Sequence, residues 1–188
     1  VEEERIKSAF EIAMERISDL PELTPEEIAA QNEKKYGPIG KVIAGNYVNG
    51  LISEDEMLAE LRKHQGTEGS IVRRSLTTSL CRTLKLQADS EQFSRAIAGL
   101  VGLTPEREEE ITAVAEEFKS LIREFEQKKQ KKLEDFKSSF LQSYGISGTA
   151  VRVNPADNQY WREESKRLRQ EYQPQLENLR GTLVKIEN

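Results

Sequence analysis

The stretch TPEREEEITAVAEEFKSLIREFEQKKQKKLEDFKSSFLQSY, residues 104–144, contains no glycine and, after Pro105, no proline. Those two residues interrupt helices most effectively, so the spacing predicts one helix over 105–144, which at ~1.5 Å per residue would be roughly 60 Å long. Ile111, Val114, Phe118, Leu121 and Phe125 recur at alternating three- and four-residue steps, the narrow apolar seam that one helix presents to another. Lys128-Lys129-Gln130-Lys131-Lys132 interrupts the seam, and it resumes at Leu133, Phe136 and Phe140. That shift reads as a stutter, a local unwinding of a helix pair. A helix so long and so one-sided needs a partner.

The end of the chain offers one. Over about 156–184, Trp161, Leu168, Tyr172, Leu176, Leu179 and Leu183 fall on one stripe, with Pro174 predicted to kink the helix. The intervening 145–157, with Gly145, Gly148 and Asn154-Pro155, reads as a loop or one short strand, so 104–188 is expected to form a long antiparallel helical hairpin. At the other end Ile6, Phe10, Ala13, Met14, Ile17 and Leu20 share a face before Pro21, and residues 1–22 read as an amphipathic helix that joins the bundle.

Residues 23–103 are punctuated differently. Thr24-Pro25-Glu26-Glu27 and Ser53-Glu54-Asp55-Glu56 are capping boxes that each open a helix. Gly37-Pro38 is expected to break the first of these, with a second piece from Ile39 to the Asn49-Gly50 turn. Gly66 should end the Met57, Leu58 and Leu61 helix, and a new one runs from Ser70 to about Leu86 with Val72, Leu76, Leu80 and Leu84 repeating every four residues. Asp89-Ser90 caps a short helix bearing Phe93, Ile97, Leu100 and Val101. The fold class is therefore all-α: a long antiparallel hairpin or coiled-coil bundle with a compact subdomain of short helices.

Composition agrees with long one-sided helices. Of 188 residues 36% are hydrophobic and 32% charged, with a net charge of −5 that repels phosphate backbones, so nucleic-acid binding would need a local patch. The single cysteine, Cys81, excludes an intramolecular disulfide and fits a reducing, cytoplasmic setting. No apolar run approaches the roughly 20 residues of a membrane span. Val1-Glu2-Glu3-Glu4-Arg5 is not a signal peptide, although a chain that begins without Met leaves a removed leader open.

Few residues suggest chemistry. His64 and Cys81 are the natural test of nucleophilic catalysis, but each suits an ordinary structural role, at a helix end and in an apolar stripe. No second His or Cys exists to build a metal site, and Gly66-Thr67-Glu68-Gly69-Ser70 lacks the Gly-Lys-Ser/Thr ending of a phosphate loop. No enzyme, cofactor or metal is expected. Between Ser70 and Ala88 the charged residues are Arg73, Arg74, Arg82 and Lys85 with no acid among them, a basic patch suited to an anionic ligand or a nucleic acid. Projection places Arg74, Thr78, Cys81, Arg82 and Lys85 together, away from the apolar stripe. Pairing of these arginines with acidic helices is the competing reading. The 128–132 lysines, flanked by acids and with Glu124–Lys128 at four-residue spacing, read as a solvated face. A dozen residues is long for a hairpin connection, so Tyr144, Ile146, Val151, Val153, Tyr160 and Trp161 are the candidate partner-binding residues. Plugging the bundle end is their alternative use.

Ile6-Lys7-Ser8-Ala9-Phe10-Glu11-Ile12-Ala13-Met14-Glu15-Arg16 resembles the starts of some uncharacterised bacterial all-helical proteins. The resemblance covers one helix; it implies a bacterial source and no activity. The expected function is a non-enzymatic interaction or scaffold protein that self-associates, with a regulator binding nucleic acid or an anion as the alternative.

Overall fold

The computed structural model describes residues 24–87, 89–143 and 158–187, together with Ser8 and Pro155. The predicted helix 1–22, with the segment that carries the resemblance, lies outside the described residues, as do Tyr144, Ile146, Val151 and Val153. Among the described residues there are six α-helices and a short 3₁₀ turn at Pro105–Arg107, and no strand. The protein is all-α.

Helix α1 (Pro25–Val48) opens on the expected reciprocal cap, the Thr24 N–H donating to Glu27 Oε2 at 2.8 Å and the Glu27 N–H to Thr24 Oγ1 at 3.2 Å. It does not break at Gly37-Pro38, as the sequence suggested. Pro38 deprives only the Lys34 carbonyl of its helical donor, and both residues lie on the exposed side. Gly37 and Gly40 are buried because α3 crosses there. A Cβ on Gly40 would stand 2.3 Å from the Val72 carbonyl and 2.7 Å from the Leu76 nitrogen, and Ser75 Oγ donates to the Gly37 carbonyl at 2.5 Å. Gly40 allows the two backbones to touch.

After α2 (Glu54–Arg62), capped by Ser53 and Glu56, the chain turns sharply into α3 (Gly66–Thr83). Helix α3 begins four residues before the predicted Ser70. Gly66 takes φ +58°, and a Cβ on the buried Gly69 would meet the His64 carbonyl at 2.6 Å, so both glycines serve the reversal. The helix also stops at Thr83, short of Leu86, yet Leu84 and Leu86 remain buried beyond its end. Asp89 caps α4 (Ser90–Leu103) by accepting from the Glu91 and Gln92 N–H groups. The 3₁₀ turn Pro105–Arg107 leads into α5 (Glu108–Ser143), and α6 (Gln159–Glu187) passes the exposed Pro174 without ending.

Helices α5 and α6 run antiparallel: Phe125 meets Tyr172, Lys128 meets Glu171, Lys132 meets Glu164 and Phe136 meets Tyr160, the partners descending as α5 ascends. One apolar cluster extends from Tyr36 of α1 to Ile186 of α6. Phe118 is fully buried, its ring 6.3 Å from Phe93 of α4 at a near-perpendicular angle. Burial of such side chains stabilises by about 1.5–3 kcal/mol each. All five seam residues through Phe125 are buried, whereas Leu133, Phe136 and Phe140 are half-buried. Arg180 fastens the other end: its guanidinium donates to the Leu84 carbonyl at 2.6 Å and to the Arg82 carbonyl at 3.3 Å, satisfying groups that the end of α3 leaves without helical donors.

The lysine interruption is a solvated face only in part: Gln130 and Lys131 are exposed and Lys129 pairs along α5 with Glu126, but two lysines serve the helix pair. Lys128 and Lys132 stand where the 4-3 spacing continued from Phe125 falls, and each reaches across to α6 rather than along α5. Lys128 bonds Glu171, not Glu124, with its ammonium 5.5 Å from the centre of the Tyr172 ring. Lys132 donates to Glu164 at 2.8 Å. Long apolar stems let lysine occupy a seam while its charge finds a carboxylate at the edge.

Candidate functional site

Two clefts receive some of the candidate residues, one between α5 and α6 and one between α1 and α3. The distal cleft lies between the end of α5 and the start of α6, with a volume of about 430 Å³. Asn158 caps α6 by accepting from the Trp161 N–H at 3.2 Å, which sets Tyr160 and Trp161 at the first turn. Phe136 is the hub: its ring centre lies 5.9 Å from those of Phe140, Tyr160 and Trp161, with the Tyr160 ring nearly parallel. Tyr160 is 61% exposed. Two of the six residues expected to bind a partner thus come together, and Phe136 and Phe140 join them. Their four-residue spacing was visible in the sequence, but only the antiparallel register brings them to Tyr160.

Glu164 closes the rim. Its carboxylate accepts from Lys132 and from Arg167 at 2.7 Å. The Lys132 hydrogen bond, opposed by partial burial and aided by the charges of Lys132 and Arg167, holds the carboxyl below the ordinary glutamate range.

The second cleft, about 420 Å³, runs between α1 and α3. Of the four basic residues expected to act together, only Arg74 and Arg82 line it. Arg73, one residue from Arg74, turns to the other side of α3 and donates to the Leu103 carbonyl at 2.6 Å and to Thr104 Oγ1 at 3.1 Å. Lys85 follows the end of α3 and is exposed. Cys81 departs from the projected basic face altogether: it is 2% exposed and belongs to the core. In place of Arg73 and Lys85 the cleft receives Lys34 and Lys41 from α1, which the grouping of residues along one helix could not reveal. Arg74 pairs with Glu33, the one acid in the lining.

His64 and Cys81 are not a pair. His64 packs at Gly69, and twelve residues of α3, about 18 Å of helix, separate Gly69 from Cys81. No group of three or more His, Cys, Asp or Glu side chains could hold a metal ion among the described residues, and no helix among them is long and apolar enough to cross a membrane. No family model, no curated protein and no solved structure matches the chain, which leaves the geometry of the two clefts as the ground for a functional reading.

Proposed function

We propose that this chain is a non-enzymatic helical interaction protein that self-associates through the distal end of the α5–α6 pair. The observation that carries the reading is the half-open aromatic group of Phe136, Phe140, Tyr160 and Trp161. Aromatic side chains supply large contact areas at little conformational cost, which makes them common anchors of interfaces. A second copy is favoured as the occupant because the rim carries both signs, with Lys132 and Asp135 on α5 and Glu164 on α6. A two-fold interface brings one patch against itself, which a mixed-sign rim tolerates and a single-sign rim opposes. The setting proposed is cytoplasmic, where a lone thiol such as Cys81 persists reduced.

Light scattering at micromolar concentration tests this. Wild type is expected at a multiple of the 21.4 kDa chain mass. Tyr160→Glu, at an exposed position, should weaken association by at least about tenfold with an unchanged helical circular-dichroism spectrum. A strictly monomeric wild type sinks the proposal, as does an unchanged mass in the variant.

A further inference from the structure

We infer that the cleft between α1 and α3 binds a linear oligophosphate. It is independent of the self-association reading. Lys34, Lys41, Arg74 and Arg82 line the cleft against a single carboxylate, Glu33, in a chain whose net charge is −5. Several cations elsewhere are matched: Lys63, Arg95, Lys119, Lys129 and Arg167 each pair with a carboxylate three or four residues away, and Lys128 and Lys132 pair across to α6. Among the described residues Lys34, Lys41 and Arg82 have no carboxylate within ion-pair distance. Three uncompensated cations around one concavity repel each other, and that repulsion is relieved when an anion enters.

The arrangement also indicates the shape of the anion. Lys34 and Lys41 are seven residues apart on α1, about 10 Å along the axis, and Arg74 and Arg82 are eight apart on α3, about 12 Å. The contact of the two backbones at Gly40 brings these two rows to either side of one groove. Charges spread over such a length fit several phosphates in a chain better than a single phosphate. No aromatic side chain lines the cleft, so it offers no surface on which a base would stack, and recognition falls on the phosphates. Arg74 supplies the forked donor for phosphate oxygens, and Glu33, its present partner, is displaced as the anion binds.

Isothermal titration of the full chain with tripolyphosphate at about 50 mM salt tests the assignment, because phosphate contacts weaken steeply with ionic strength. Saturable one-to-one binding is expected, reduced by roughly tenfold or more in the Lys41→Ala/Arg82→Ala double variant. Both side chains are exposed and engage nothing else, so the fold should survive. Lys63→Ala/Lys85→Ala removes the same charge outside the cleft and should leave affinity within about twofold. Equal losses in the two double variants would show general charge attraction and overturn the site. No saturable binding overturns it outright, and so does binding of a single-stranded oligonucleotide with none of tripolyphosphate. Tyr160→Glu should bind tripolyphosphate as wild type does, which keeps this outcome separate from that of self-association.

Discussion

Gly40 and Gly45 lie five residues apart in α1 and face opposite surroundings. A methyl group at position 40 would be driven into the backbone of α3 at Val72 and Leu76, whereas at position 45 it would meet nothing within 4 Å. Gly40→Ala is therefore expected to cost about 1–3 kcal/mol or more as the helices are forced apart. Gly45→Ala, exposed within a helix, should gain about 0.5–1 kcal/mol by restricting the unfolded chain. Urea midpoints moving in opposite directions for the two variants check this, and a shift of the same sign in both would refute the role given to Gly40. The same helix shows what could not be read locally. A Gly-Pro pair that ends a helix and one that a long helix carries through look alike in sequence, so Gly37-Pro38 suggested a break. The caps at Thr24, Ser53 and Asp89 were legible because their bonding partners lie within three residues.

At the scale of elements, the Lys132–Glu164 contact joins α5 to α6 where apolar burial is thinning. Glu164 holds its proton less readily in the folded state than the ordinary value of 4.5, so over that range the unfolded chain binds more protons. The pairing then contributes in full above about pH 4.5 and is lost as pH falls through and below it. Wild type should lose stability on acidification through that window more steeply than Glu164→Gln, as read from urea midpoints at a series of pH values. Parallel pH curves would show that the contact does not stabilise the fold. The antiparallel order of the two helices follows from the apolar stripes, which are visible in the sequence. The basic cleft does not, because half its cations come from α1 and consecutive arginines of α3 point to different sides. Spacing along one helix groups residues by face but is silent about what a neighbouring helix contributes.

For the whole molecule, burial falls away from one end to the other. Residues deep in the cluster, such as Met57, Leu76, Leu100 and Phe118, lie where α2 to α5 converge, while α5 buries nothing completely beyond Phe125. Trp161, the single tryptophan, stands in the thin end. Local openings follow such gradients, so the tryptophan fluorescence transition should precede the loss of far-ultraviolet circular dichroism in urea. Coincident transitions would mean that the distal end unfolds only with the rest. The seam lysines bear on this in another way. If α6 slid one turn along α5, Lys128 would face Arg167 in one direction and Gln175 in the other, and Lys132 would face Tyr160 or Leu168 in place of Glu164. Either slip abandons both ion pairs, and one sets like charges together. A uniformly apolar seam would glide between such positions at little cost; two lysines turn it into a ratchet with a single stop, and the aromatic group at its tip is assembled only there.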